Sequence, residues 1–262
     1  MINLCFLGTG SAEPATNRNN LSFLVSDKAG DRMVLVDCSG APVQTILRLG
    51  YQPEYLTDVI LTHSHVDHIY ALPSLVHTLW LYKQFDNEKG LRIWGEEETI
   101  SLAKKLVDVF SLEEKNNAVK LNWVEIPLKP NNQILDIEGV SIRSFPVTHG
   151  DIPAIGLKFI GENGKNVVYS SDAQADSHVK EMISANTISL IQDCGAKLEA
   201  NTGHAGAKEI FNMIKGTKLE SLFLVHFPEL SASEKNKINE NFSSFGGKVV
   251  FPEDMQCINF SI

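Results

Sequence analysis

The sequence lacks a long apolar run, a basic excess and a cysteine framework, and each absence excludes a class of protein. No stretch offers the roughly 20 consecutive apolar residues that a membrane-spanning helix needs. The formal net charge is −9, from 23 Lys and Arg against 32 Asp and Glu. That removes the basic footprint of a protein that grips nucleic acid over its whole surface, while a local basic patch stays open. The four cysteines, Cys5, Cys38, Cys194 and Cys257, are widely scattered. No pair has zinc-ribbon spacing, so they read as free, mostly buried thiols, with a cysteine-ligated metal as the weaker alternative. No basic stretch precedes the apolar opening Ile2-Asn3-Leu4-Cys5-Phe6-Leu7 and no small-residue cleavage site follows it. The expectation is therefore no signal peptide and a cytoplasmic address.

What is present is ordinary globular protein. Hydrophobic residues make up 43% and charged residues 21% of the 262, enough for a substantial core. Residues 1–262 read as one domain, without repeats or an obvious linker. Short apolar runs bounded by Gly, Pro and Asn predict strands at 2–7, 21–26, 33–37, 58–61, 91–94, 121–126, 141–145, 155–160, 167–170, 188–192, 221–225, 249–251 and 257–262. Helices are predicted at 42–49, 69–85, 96–110, 177–185, 205–215 and 234–243. Strands mixed with helices, many of them apolar throughout, give an α/β class with two sheets packed together and covered by helices.

The strongest local signal is Thr62-His63-Ser64-His65-Val66-Asp67-His68. It follows a buried strand and precedes a helix. His63 and His65 are two apart and point the same way in extended chain, while Asp67 and His68 turn toward a second point nearby. Neutral imidazole and carboxylate are common zinc ligands. More ligands must come from later strand ends. His149 closes Phe145-Pro146-Val147-Thr148-His149, Asp172 follows Val168-Tyr169-Ser170-Ser171, and His226 closes Leu222-Phe223-Leu224-Val225. Polar residues ending apolar strands sit where α/β folds place their sites. His77, among Leu75, Val76, Leu79 and Trp80, reads as a packing histidine, and His178 as a solvent-facing one.

These residues resemble the metallo-β-lactamase fold superfamily, in its ribonuclease Z and phosphodiesterase-like branch. Phe6-Leu7-Gly8-Thr9-Gly10-Ser11 is similar to that branch's first strand and turn, Val36-Asp37-Cys38 to its strand-ending aspartate, and Thr62 to His68 to the signature itself. The resemblance implies an αββα four-layer sandwich. It implies that His63, His65 and His149 hold one divalent ion, that Asp67, His68 and His226 hold a second, and that Asp172 bridges both. The ions expected are zinc, with manganese or iron as alternatives. It further implies hydrolysis by a shared hydroxide that Asp67 orients. An aspartate at 172 suits phosphodiesterases, where many β-lactamases of the fold carry cysteine. A histidine at 65 departs from the glutamate usual in the oxygen-reducing di-iron branch.

His204, in Thr202-Gly203-His204-Ala205-Gly206-Ala207, resembles the extra histidine of ribonuclease Z and its relatives, which assists the leaving oxygen. A helix-starting histidine without a role is the alternative. Arg18, in the first loop, reads equally as a phosphate contact or a solvated arginine. One departure bears on substrate. Transfer-RNA processing members usually carry a long basic arm, whereas only 22 residues lie between His149 and Asp172, and they read as a simple hairpin through Gly161-Glu162-Asn163-Gly164. Segment 110–120 is a poor substitute for the arm. The expected function is hydrolysis of a small or cyclic phosphodiester, with RNA disfavoured, no membrane partner, and monomer or homodimer open. Alternatives are a ribonuclease Z-type endonuclease, another esterase, an oxidative enzyme like the quinone-cofactor branch, and a silent binding module. Trp80 and Tyr82 could stack on a base, or belong to the core.

Overall fold

The structure, a computed structural model, describes residues 1–27, 29–82 and 84–262. Its first sheet holds β1 (Ile2–Gly8), β2 (Ser22–Ser26), β3 (Met33–Val36), β4 (Leu56–Ile60), β5 (Leu91–Gly95) and β6 (Leu121–Glu125). The second holds β7 (Asn132–Ile137), β8 (Val140–His149), β9 (Ile152–Gly161), β10 (Asn166–Tyr169), β11 (Thr187–Asp193), β12 (Ser221–Val225) and β13 (Lys248–Val250). The last strand, β14 (Cys257–Phe260), returns to pair antiparallel with β1, so the sheet orders are β14-β1-β2-β3-β4-β5-β6 and β13-β12-β11-β10-β9-β8-β7.

Alternation along the strands builds the layers. Ile2, Leu4 and Phe6 of β1 and Phe23 and Val25 of β2 face Val167, Tyr169, Phe223 and Val225 of the second sheet, forming the inner core. The residues between them point the other way. Cys5, Leu7 and Leu24 pack beneath α1 (Pro42–Arg48), α3 (Leu72–Leu81) and α4 (Glu97–Asp108). Val168, Leu222 and Leu224 pack beneath α5 (Ser177–Met182), α6 (Ala207–Ile214) and α7 (Ala232–Asn241). The short α2 (Val66–Ile69) lies between β4 and α3. Helix, sheet, sheet and helix make the four-layer α/β sandwich that the resemblance implied. Among the described residues no helix is long and apolar enough to cross a membrane.

Among the described strands, β3-β4-β5-β6 and β10-β11-β12-β13 pair in parallel, each with helical crossovers. The carboxyl ends of β3, β4, β10, β11 and β12 therefore open on one side, with the end of β8 beside them. The Ile155 amide donates to the Thr62 carbonyl (3.0 Å), which joins the two sheets at that rim.

Four expectations need correction. The helix expected at 69–85 begins earlier, at Val66, breaks at Tyr70–Ala71 and restarts as α3, because Pro73 has no amide to donate back into the preceding turn. It ends at Leu81, and Lys83 lies outside the described residues. Strand β7 was not expected. It pairs with β8 through a tight turn in which Glu138 (φ 35°) and Gly139 (φ 81°) are both left-handed, a legible hairpin signal. Cys5 and Cys257 are not free thiols: they face each other across β1 and β14 and form a disulfide, while Cys38 and Cys194 are free and buried. His77 is exposed rather than packed.

Gly8 shows how tightly the first loop is drawn in. A Cβ there would lie 2.1 Å from the Asn20 carbonyl oxygen and 2.8 Å from that of Asn19. Both neighbours are backbone and cannot rotate away. We expect Gly8→Ala to cost about 2 kcal/mol or more, read as a lower urea midpoint at unchanged slope; an unchanged midpoint would show that the loop is not held against β1.

Candidate metal centre

Each residue at the rim is placed by its strand end. His63 and His65 follow β4, Asp67 and His68 form the first turn of α2, His149 ends β8, Asp172 follows β10, and His226 follows β12. Three of these turns are sharp enough to need left-handed backbone at non-glycine positions: Asp37 (φ 57°), Ser171 (φ 58°) and His226 (φ 64°). Such residues cost of order 1–3 kcal/mol each and gather at functional sites.

The side chains converge in three clusters, each with its ligand atoms within 4.8 Å of one another: His63, His65, His149 and Asp172; Asp67, His68, Asp172 and His226; and Asp193, His204 and His226. All seven residues expected to hold ions lie in the first two, with Asp172 common to both. Its Oδ2 is 3.1 Å from His226 Nε2, 3.3 Å from His68 Nε2 and 3.8 Å from His63 Nε2. Asp67 Oδ2 is 3.5 Å from His68 Nε2 and 3.6 Å from His226 Nε2.

The far side of three of the imidazoles, His68, His149 and His63, is held by a polar neighbour. His68 Nδ1 donates to Asp37 Oδ2 (2.8 Å), and that carboxylate also accepts the Thr62 amide (2.8 Å) and hydroxyl (3.0 Å). His149 Nδ1 donates to the Gly203 carbonyl (2.7 Å). His63 Nδ1 lies 3.1 Å from the Thr62 hydroxyl. These anchors aim the other ring nitrogens inward, as supporting hydrogen bonds do around metal ligands. His149 Nε2 meets His65 Nδ1 at 3.0 Å, but four other inward atoms, His63 Nε2, His68 Nε2, His226 Nε2 and Asp172 Oδ1, are buried without a hydrogen-bond partner. Orphaned polar atoms are costly. Imidazole nitrogens and carboxylates in two tight groups fit two divalent cations, and the residues present could hold them.

The charges agree with an electron-rich pocket. Burial and the neighbouring His68 push His63 well below its ordinary pKa. His68 and His226 go the other way: burial opposes their charge, but Asp172, with Asp37 for His68 and Asp193 for His226, raises both, His226 to about 10. Despite its burial Asp172 is held well below the usual carboxylate range by His226 and His68. Asp67 is also lowered, its burial outweighed by His226 and His68.

The third cluster contains a residue that sequence reasoning missed. Asp193, fully buried at the end of β11, accepts His204 Nδ1 at 2.8 Å, with the Ala173 amide on the same oxygen at 3.0 Å. Its other oxygen accepts the Gly195 amide (2.7 Å) and lies 3.5 Å from His226 Nδ1. The Gln192-Asp193 pair closing an apolar strand was a signal of the same kind as Asp172. His204 stacks on His226 at 5.0 Å and its pKa is raised, Asp193 prevailing over burial. It lies just before the N-cap of α6, held by Asp193. Arg18 neither reaches the clusters nor stands free in solvent: it donates to the Thr9 hydroxyl and to the Pro252 carbonyl (2.9 Å), tying the first loop to the segment before β14. Trp80 and Tyr82 pack against the helix-side core. His178 is half exposed beside Asp176, as expected. Segment 110–120 folds back on the body through Asn116 and Asn117, whose carbonyls accept Trp80 Nε1 and Asn87 Nδ2.

The family described as anti-Pycsar protein Apyc1 matches residues 2–248, which include all three clusters. The chain belongs to that family. This Apyc1-family chain is also 31% identical over 161 residues to a ribonuclease Z from Bradyrhizobium sp., covering 61% of the chain and 50% of the relative. It thus spans about half the length of the curated relatives it matches. In solved structures it is similar to the metallo-β-lactamase fold protein YhfI from Bacillus subtilis, with a TM-score of 0.75 and 21% identity over 99% of the chain and 100% of the neighbour. A diphosphatase of the PhnP family gives a TM-score of 0.75 and 17% identity over 100% of the chain and 99% of the neighbour. The Apyc1-family chain therefore has the metallo-β-lactamase fold.

One pH-linked outcome follows for the Apyc1-family site. His68 and His226 have raised pKa values, so in the metal-free protein both carry protons at neutral pH. A cation can take Nε2 only if the proton leaves. Zinc binding at pH 7 should therefore release protons, and affinity should rise with pH toward the His226 value. Calorimetry in two buffers of different ionisation enthalpy measures this; an enthalpy independent of buffer would mean the imidazoles are already neutral.

Proposed function

We propose that the protein is a dinuclear metal-dependent phosphodiesterase acting on a small or cyclic phosphodiester. The observation that carries this reading is the pair of clusters sharing Asp172, with the Asp193–His204 pair stacked against one of their histidines. His63, His65 and His149 would hold one ion, Asp67, His68 and His226 the other, and Asp172 both. A donor set of five imidazoles and two carboxylates suits zinc first, and manganese or iron next. When bound, such ions make a nucleophile available from water at neutral pH and neutralise charge developing on phosphate oxygens.

The chain's own residues supply the remaining work. Asp67 is a carboxylate at neutral pH whose edge reaches the surface recess of about 280 Å³ over the clusters. It accepts a proton from the attacking water and fixes its direction. His204 lines the same recess. Asp193 holds its Nδ1 proton, which leaves Nε2 toward the substrate, and keeps the ring charged to higher pH. Nε2 then donates to the departing oxygen, which as a free alkoxide would be a poor leaving group.

A ribonuclease Z-type endonuclease is the second reading, supported by the ribonuclease Z relative. The net charge of −9 and the tight β9–β10 hairpin, closed by Gly161 and Lys165, leave no arm to grip RNA between His149 and Asp172. A small substrate is favoured for that reason.

Hydrolysis of bis(4-nitrophenyl) phosphate by metal-loaded protein is the first test. Asp67→Ala should lower turnover by about 10²-fold or more while the circular dichroism spectrum stays native; full activity in the variant would remove Asp67 from the reaction. For His204→Ala the loss should depend on the leaving group. Roughly 10²-fold or more is expected with an alkyl phosphodiester and about tenfold or less with the nitrophenyl ester, whose oxygen departs without a proton. Equal losses on both would take the acid role from His204.

A further inference from the structure

The recess over the clusters continues past His204 and His226 into a second one of about 250 Å³, whose walls include Glu13, Gly195 and Lys197. The two recesses share both histidines but differ in chemistry. The first is flanked by Val66, which is exposed. The second carries charges of both signs. If His204 protonates the departing oxygen, the leaving half of the substrate extends to the His204 side, into this second recess.

Lys197 is held there through both its backbone and its side chain. Its backbone is left-handed (φ 60°), a conformation glycine would adopt at less cost. The turn is closed by the Lys197 amide donating to the Cys194 carbonyl (2.9 Å), and the Lys197 carbonyl accepts the Ala207 amide (2.8 Å). This turn directly follows Asp193, the carboxylate that holds His204. The ammonium is held as well. Nζ donates to Glu234 Oε1 (2.9 Å), and the other Glu234 oxygen accepts the Ser231 amide (2.9 Å) and hydroxyl (2.8 Å) in the capping box of α7. An ammonium has three donors, and Glu234 takes one. With the side chain 38% exposed, donors remain for the recess.

We propose that Lys197 is a specificity-determining residue that, with Glu13, binds the leaving half of the phosphodiester and selects a hydroxyl-bearing alcohol, such as a sugar, over an aryl one. The inference rests on the phosphodiesterase reading. Lys197 donates to oxygen acceptors on the leaving group and Glu13 accepts from its hydroxyls. A nitrophenyl group gives Glu13 no donor and Lys197 only a weakly basic nitro oxygen, and leaving both charges desolvated beneath it is unfavourable.

The test compares adenosine 3′,5′-cyclic phosphate, whose leaving group is a sugar hydroxyl, with bis(4-nitrophenyl) phosphate, whose leaving group is aryl, on metal-loaded protein. Lys197→Met should raise KM for the cyclic phosphate by about tenfold with kcat changed by about twofold or less, and should shift KM for the aryl ester by about twofold. Lys197→Arg should restore the cyclic phosphate KM to within about threefold. Glu234→Ala separates binding from architecture, since it removes the tie but keeps the ammonium; it should stay within about threefold of wild type, and Glu234→Gln, which keeps an acceptor but no charge, should too. Thermal melts of each variant report the fold. Equal losses on both substrates in Lys197→Met, or the same loss in either Glu234 variant, would overturn the assignment and make Lys197 a structural tie. Wild-type turnover of the aryl ester alone would overturn it while leaving the phosphodiesterase reading standing. Turnover of neither ester would sink both.

Discussion

The structure depends on one buried carboxylate. Asp172 is 1% exposed and faces three imidazole nitrogens within 3.8 Å. Burying a charge without compensation is prohibitive, so the molecule surrounds it with groups that can be made positive. In the metal-free state that compensation is protonic. His68 and His226 hold protons against their burial because Asp172 is there, and Asp37 and Asp193 stand behind them to share the load. Proton and cation compete for the same inward nitrogens. Asp37 and the Gly203 carbonyl hold His68 and His149 in place from behind.

That requirement explains the layer architecture better than packing alone. A sandwich could be built with its strand ends capped by ordinary turns. Here the ends of β3, β4, β8, β10, β11 and β12 meet at one rim, and three of the connecting residues adopt left-handed backbone without being glycine. The Thr62–Ile155 hydrogen bond crosses between the sheets at this place. The inner core behind it, from Phe6 and Phe23 to Tyr169 and Val225, is continuous and apolar, so the sheets cannot slide without breaking it. Rigidity of the core is what makes strained, unsatisfied groups tolerable at the edge.

The parts legible in the sequence are those governed by short-range pattern. Apolar alternation located all but one of the strands, and polar residues closing them named His63, His149, Asp172 and His226 before any fold was known. The parts missed depend on distance in space. Asp193 also closes an apolar strand, but nothing in Gln192-Asp193-Cys194 says that its carboxylate will meet a histidine eleven residues on. The Cys5–Cys257 pairing joins the two ends of the chain through a register that no local pattern specifies. Arg18 was left between a phosphate contact and a solvated residue because its partners, Thr9 and the Pro252 carbonyl, are brought together only when β14 returns to the first sheet. Strand β7 was a different failure, since the Glu138-Gly139 turn was visible and its flanking apolar residues were passed over.

Asp193 joins two parts of the rim. One oxygen orients His204 and the other approaches His226, so a single buried carboxylate links His204 to the histidine that lies against Asp172. The same strand end continues into the strained turn that carries Lys197. A shift of β11 along its axis would move His204, the second cluster and Lys197 together. Hydrogen bonds to buried charge hold that strand end in place, with Gly195 and Ala173 donating to the two oxygens. Those two amides are available only because the chain turns sharply after Asp172 and again after Asp193. The placements of His204, His226 and Lys197 are thus set by one local geometry, and none can drift without the others.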